Sequence, residues 1–156
     1  MIKTNVMRLL DAAGIEYEAV EYAVDESDLS GAHIITETGI DKDIVFKTLV
    51  ITGEKNGFGV CCIPAMDELD LKKAAKHFGE KKVEMIHVKD LLKTTGYIRG
   101  GCSPVGMKKQ FPTVIDETAT LFDRIYVSAG QRGVMLGLNP FSLAEYTGAG
   151  FEDITV

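Results

Sequence analysis

The run Val45-Phe46-Lys47-Thr48-Leu49-Val50-Ile51-Thr52 is dense in β-branched and aromatic side chains, and the turn Gly53-Glu54-Lys55-Asn56-Gly57 leads back into a second apolar run, Phe58 to Ile63. This pattern predicts a β-hairpin. Around it, period-two segments alternate with helical ones. Val6, Leu9, Leu10 and Ala13 recur at helical spacing behind Thr4 or Asn5 as a cap, with Gly14 closing the helix. A strand is expected through Tyr17 to Tyr22, then a helix capped by Ser30 or Asp28, carrying Ile34 and Ile35, and ended by Gly39. Leu69, Leu71, Ala74, Ala75 and Phe78 predict a helix that Gly79 stops, followed by a short strand, Val83 to Ile86, and a helix around Asp90 to Lys93. Further strands are predicted at Thr113 to Ile115, Ile125 to Val127 and Gly133 to Leu138, and Pro140 begins a last helix through Leu143 and Tyr146. Seven or so strands in hairpins, interspersed with helices, predict an α+β fold: a mixed sheet wrapped by helices rather than a repeating βαβ array.

The chain has 156 residues, 46% of them hydrophobic, and shows no linker, repeat or low-complexity tract. One domain over residues 1–156 is expected, because a chain of this size buries about 68–70% of its unfolded surface. A formal net charge of -6 and a pI near 5.1 argue against a general nucleic-acid binder, whose domain pI usually exceeds about 9. Any RNA contact must be local. Lysines cluster at Lys72, Lys73 and Lys76, at Lys81 and Lys82, and at Lys108 and Lys109, while acids spread through Glu16 to Asp28 and Asp116 to Asp123. Cys61 and Cys62 are adjacent and Cys102 is alone, so no Cys-x-x-Cys motif or disulfide framework can be drawn. His33, His77 and His87 have no metal-ligand spacing, and no metal or cofactor is expected. No stretch reaches the roughly 18 apolar residues of a membrane span, and a reduced cytoplasmic setting is the expectation.

Between Tyr97 and Lys109 both periodicities lapse, and Gly100, Gly101, Pro104 and Gly106 fall in this one segment. Glycines without a Cβ let a ligand approach the backbone, and proline fixes φ, so such a loop can aim peptide N–H groups at an anion or a polarised carbonyl. It can equally be an ordinary turn. Lys47 interrupts the apolar hairpin strand on the face of Val45, Leu49 and Ile51. Either its stem snorkels to solvent or its ammonium faces a cleft. A second glycine-bearing turn, Ser128-Ala129-Gly130-Gln131-Arg132-Gly133, offers an arginine that can hold a phosphate or carboxylate, or lie at the surface. Cys102 has no histidine near it in sequence, and nothing visible lowers its pKa; a bystander thiol is the expectation.

Taken in order, Phe46-Lys47-Thr48-Leu49, Asp70 to Lys76, Lys81 to Met85, Thr95 to Lys109 and Ile125 to Gly133 resemble the YbaK/EbsC family of aminoacyl-tRNA editing proteins, nearly end to end. This family comprises Cys-tRNA(Pro) deacylases related to the editing insertion of prolyl-tRNA synthetases. The resemblance implies a mixed sheet partly closed into a barrel. It places the essential lysine at Lys47 and the glycine loop at Gly100 and Gly101, with Cys102 contributing through its backbone. Tyr22, Phe46, Thr48 and Ser103 are implied as substrate-binding positions, as are Pro104, Ser128, Gly130 and Arg132. One position departs from the family pattern: Met135 stands where members carry an aspartate or an amide.

The implied substrate is Cys-tRNA(Pro), with prolyl-tRNA synthetase as partner. Cysteine and proline are similar in volume, and a small steric difference supplies only about 1–3 kcal/mol of discrimination, so an error-removing hydrolysis is needed. An aminoacyl ester is already activated and requires positioning and oxyanion stabilisation more than a strong nucleophile. The expected mechanism gives the amides near Gly100 to Cys102 to the carbonyl and Lys47 to the terminal ribose or phosphate, with the substrate's own thiol as attacking group. Two other readings compete: hydrolysis of Ala-tRNA(Pro) by a positioned water, and a non-catalytic module that docks on a synthetase or tRNA.

Overall fold

In the computed structural model, which describes residues 1–156, the hairpin is formed by β2 (Phe46–Gly53) and β3 (Gly57–Pro64), antiparallel with Lys47 opposite Ile63 and Thr48 opposite Cys62. It is the centre of a five-stranded sheet. On one side β4 (Val83–Met85) pairs antiparallel with β2; on the other, β5 (Thr113–Asp116) runs parallel to β3 and β8 (Gly150–Glu152) parallel to β5. A second, antiparallel sheet has the order β1 (Glu18–Glu21), β7 (Val134–Leu138), β6 (Ile125–Ser128). A single mixed sheet is thus replaced by two, joined at a parallel bridge between Val45 and Tyr126 that sets β2 beside β6. The fold is α+β, as the alternation of hairpins and helices implies. The eighth strand escapes period-two reading because β8 spans only three residues and takes its order from pairing with β5.

Five helices pack on these sheets, and the caps explain their starts. Thr4 accepts from the Met7 amide at the head of α1 (Asn5–Ala12), Ser30 from His33 in α2 (Gly31–Thr38), and Asp70 from Lys72 and Lys73 in α3 (Leu71–His77). Asp28 does not cap α2; its carboxylate accepts from the Ser30 amide and hydroxyl and so holds the capping residue itself. Gly96 ends α4 (Val88–Thr95) with φ 87°, and Asn139 caps α5 (Pro140–Thr147), with Pro140 at the first turn. The main core lies between α1, α5 and the three-stranded sheet, where Leu10, Leu136, Leu138 and Leu143 are almost wholly removed from water. Each such side chain contributes about 1.5–3 kcal/mol. Ile51, Cys61 and Ile63 form a second cluster with Ala74 and Ala75 of α3, and Val50, Val60 and Leu91 a smaller one under α4.

The chain end is tied down by one buried acid. Asp116, 1% exposed, accepts from the Thr118 amide and hydroxyl with one oxygen and from the Ile154 amide at 3.1 Å with the other. Hydrogen bonds to a charged group are worth roughly 1.5–3 kcal/mol. Asp116→Asn, which keeps the shape but loses an acceptor, should lower the stability by about that amount. A denaturant titration checks this: the midpoint should fall with the m-value unchanged.

Candidate active site

Lys47 and the glycine loop open onto the same cleft, a concavity of about 610 Å³. Its floor is the first half of β2. Its walls are the start of α2, with Leu29 and Ser30, and the segment from Met85 to Leu91; Arg99, Gly100 and Cys102 close one end. Lys47 is partly exposed on the face it shares with Leu49 and Ile51. Burial lowers its pKa below the ordinary 10.5, and the carboxylates of Asp67 and Glu68 oppose that shift. The residue is therefore a partly desolvated cation in the lining of the cleft, without an ion-pair partner.

Gly100 and Gly101 serve different ends. Gly100 adopts φ +85°, and a Cβ there would meet Arg132 and Leu29 at 3.3 Å. Gly101 has an ordinary φ, but a Cβ would lie 3.2 Å from the Arg132 nitrogen and from two backbone carbons of Gln131. What approaches Gly101 is the second turn, not a ligand. Its N–H is also spent, donating to the Ile98 carbonyl at 2.9 Å. The amides of Gly100 and Cys102, on either side, donate to no acceptor within the protein. Oxyanion donation over Gly100 to Cys102 thus narrows to these two N–H groups.

The other expected site residues divide between cleft and support. Phe46, Thr48 and Ser128 line the cleft, Phe46 with its ring sunk in the main core and Thr48 with its hydroxyl 3.8 Å from the Cys62 sulfur. Ser103 and Pro104 do not; both are buried behind the loop, and the Ser103 hydroxyl accepts from the Val105 amide at 3.3 Å. Gly130 is likewise a packing position, where a Cβ would strike Val6 and the Tyr97 ring at about 3 Å. Tyr22 and Arg132 meet Gly100 in a small adjoining recess that has room for about one water. Arg132 donates its Nε to the Arg99 carbonyl at 2.9 Å, so part of the guanidinium clamps one loop to the other. Met135 lines the cleft and packs with Val45, Ala65 and Tyr126, making this end of the cavity apolar.

Two contributors lie outside the sequence reading. Tyr97 donates its hydroxyl to the Val105 carbonyl and sits against both Gly106 and Gly130, a pillar under the loop. Arg99 lines the cleft as a second cation. The signal for Tyr97 was its place between helix end and glycines, where an aromatic ring needs small neighbours. Cys102 is half-buried, and burial pushes its thiol up to about 12, which keeps it neutral and disqualifies it as a nucleophile. The thiols of Cys61 and Cys62 are raised to about 12 as well. No cluster of three or more His, Cys, Asp or Glu side chains is arranged to hold a metal ion.

The aminoacyl-tRNA editing domain model matches residues 32–146, which covers the cleft floor, the glycine loop and the second turn. The chain belongs to the aminoacyl-tRNA editing domain family. A relative from Enterococcus faecalis (strain ATCC 700802 / V583), named "Putative Cys-tRNA(Pro)/Cys-tRNA(Cys) deacylase EbsC", is 50% identical over 153 residues, spanning 98% of this chain and 93% of that protein. Two crystal structures share the fold at lower identity. One, of a hypothetical protein APE2540, superposes with TM-score 0.89 at 22% identity over 98% of this chain and all of that one. The other, titled a "putative trans-editing enzyme for prolyl tRNA synthetase", superposes with TM-score 0.85 at 23% identity over 100% of this chain and 99% of that one. No helix is long and apolar enough to cross a membrane.

The tight seam between loop and turn generates a test. In Gly101→Ala the added methyl must displace the backbone of Gln131 and Arg132 by a few tenths of an ångström. Overpacking of this kind costs about 1–3 kcal/mol. Thermal unfolding should register that loss, and deacylation should fall further than stability alone explains, because the Gly100 and Cys102 amides move with the loop.

Proposed function

We propose that this chain is a single-domain, trans-acting deacylase that removes cysteine from Cys-tRNA(Pro) in the cytoplasm, in company with prolyl-tRNA synthetase. The observation that carries the reading is a cleft that presents a cation, Lys47, and two unpartnered amides, Gly100 and Cys102, yet contains no activated protein nucleophile. The identity to a relative named for cysteinyl deacylation supports the substrate, and the fold shared with a structure titled as a trans-editing enzyme supports the partner.

In this mechanism the ester carbonyl of the aminoacyl end lies against the Gly100 and Cys102 N–H groups, which donate to the oxygen as it gains charge. Lys47 holds the terminal ribose or its phosphate. The cysteine sulfur of the substrate attacks its own carbonyl carbon, forming a carbon–sulfur bond while the carbon–oxygen ester bond breaks. The thiol proton ends on the ribose hydroxyl, and a thiolactone leaves. The apolar surroundings contributed by Met135, Val45 and Ala65 suit a compact sulfur side chain. Preorganised donors in such a setting are worth about 10²–10³ in rate each.

Paired single-turnover assays on cysteinyl- and alanyl-tRNA(Pro) test the reading. Cysteine should be removed faster, and Lys47→Ala should lower that rate by about 10² or more. A preference for alanine would instead favour a positioned water, and turnover of neither would leave only a binding module. Cys102→Ala should keep the rate within about threefold, since no bond forms to that sulfur. Alkylation of the Cys102 thiol should be far slower in the folded protein than in urea at pH 8 and should accelerate steadily above pH 9, because its folded pKa is raised to about 12.

A further inference from the structure

Residues 85–111 carry five lysines and arginines against one acid, Asp90, for a net charge of +4; the other 129 residues hold twelve such cations and twenty-two carboxylates, a net of -10. Residues 72–82 reach the same net charge, with Lys72, Lys73, Lys76, Lys81 and Lys82 against Glu80, so what distinguishes residues 85–111 is their place at the cleft. That segment is a wall of the cleft, since Met85, Ile86, Val88, Leu91, Arg99 and Cys102 line it. Side chains under it, from Leu91 to Met107 and Phe111, pack into one cluster, so α4 and the end of the loop form a continuous surface. The Lys108 ammonium reaches the Lys93 carbonyl at 3.4 Å, which places it beside α4, and Lys109 follows it in the chain, 6.0 Å from the ring centre of Phe111, a residue packed into the cluster under α4.

Lys72, Lys76 and Lys81 are as free of ion pairs as the lysines of this surface, but their clusters stand among paired acids and away from the cleft. On α3, Lys73 is bound to Asp153 at 2.9 Å and to the Thr155 carbonyl, and His77 meets Glu152 at 2.6 Å. Lys82 has Glu84 at 3.7 Å. On the cleft wall, only Lys93 is paired, with Asp90 at 3.0 Å; Lys89, Arg99, Lys108 and Lys109 have no carboxylate within ion-pair distance.

We infer that Lys89, Lys108 and Lys109, on α4 and the end of the glycine loop, form the docking surface for the phosphate backbone of the tRNA acceptor stem. This rests on the deacylase reading above. It adds where the body of the nucleic acid lies: with the charged end in the cleft, the stem leaves over the wall of α4. Lysines act here as point charges on phosphate, which positions the RNA without reading its bases. Each contact displaces condensed counterions and contributes nearly one to the slope of log affinity against log salt.

Binding of uncharged tRNA(Pro) transcript, measured against salt concentration, tests the inference without relying on turnover. The triple variant Lys89→Glu/Lys108→Glu/Lys109→Glu should weaken binding at least tenfold at low salt and flatten the slope by about 2–3. The corresponding Gln triple should show the same direction with a smaller loss, which guards against effects of the reversed charge on folding. A control triple, Lys72→Glu/Lys76→Glu/Lys81→Glu, makes the same change of charge elsewhere and should leave both quantities within about twofold. In deacylation, the wall variant should raise KM and leave kcat unchanged. Equal losses in wall and control triples, no loss in either, or no tRNA binding by the unaltered protein would overturn the inference. Unchanged tRNA affinity with weakened binding to prolyl-tRNA synthetase would overturn it too, and would assign the surface to an acidic protein partner. A wild-type protein that binds tRNA through this wall but deacylates nothing would defeat the enzymatic reading alone.

Discussion

The backbone of Gly101 lies against the backbone of Gln131 and Arg132 with no room for a methyl group, and the rest of the site depends on that seam. The loop carrying Gly100 and Cys102 has no helix or strand of its own to fix it. Its shape comes from what it touches: the Arg132 guanidinium on the Arg99 carbonyl, the Gly101 amide on Ile98, and Tyr97 wedged between Gly106 and Gly130. Two of these contacts use up polar groups of the loop, and the Gly100 and Cys102 amides, both at the cleft, are left without an acceptor in the protein. Fixing donors in advance matters because reorganising them during reaction would consume the stabilisation they give. The second turn, carried between β6 and β7, therefore acts on the cleft through the loop it braces.

Electrostatics follow from the same arrangement. A chain of net charge -6 repels RNA at long range, and at physiological ionic strength screening confines that repulsion to about 8 Å. Local composition then governs contact. Lys47 is costly to hold partly desolvated with only Asp67 and Glu68 to offset the burial, and such a cost is retained where a ligand carrying negative charge completes the pairing. The unpaired cations of the α4 wall, by contrast, are solvated and cost little. In the proposed mechanism, one partly desolvated cation at the cleft floor serves the reacting end of the substrate, and several exposed ones at its rim serve the body.

Much of this was legible in the sequence, for identifiable reasons. β2 and β3 carry enough β-branched residues, and α1, α2, α3 and α5 carry clear caps, so local signals agree with the final fold. That Lys47 and the glycine loop line one cleft was suggested by an out-of-place charge and a lapse of periodicity only once the family resemblance joined them. Division into two sheets was not legible, because the Val45–Tyr126 bridge is a single long-range pairing with no local signature. Nor could the sequence separate Gly100, which needs its left-handed φ, from Gly101, which needs proximity. Ser103, Pro104 and Gly130 carry the residue types of a binding loop and spend them on holding it, a distinction that only packing reveals.

The absence of an activated nucleophile is consistent with this scaffold. Burial raises all three thiols to about 12, so none of them supplies a thiolate at neutral pH. His33, with its ring nitrogen on the Ala23 carbonyl at 2.8 Å, lines the adjoining recess and not the cleft, so the cleft has no histidine base either. Lys47 is its nearest approach to a base, and even with a lowered pKa its role as a cation competes with that one. An ester that brings its own sulfur converts a bimolecular attack into an intramolecular one, where orientation alone can be worth several kcal/mol. A site made of two cations, two amides and an apolar wall would then select its substrate by what the substrate can do for itself. An amino acid of similar size without the thiol would fit the same cavity and leave it unreacted.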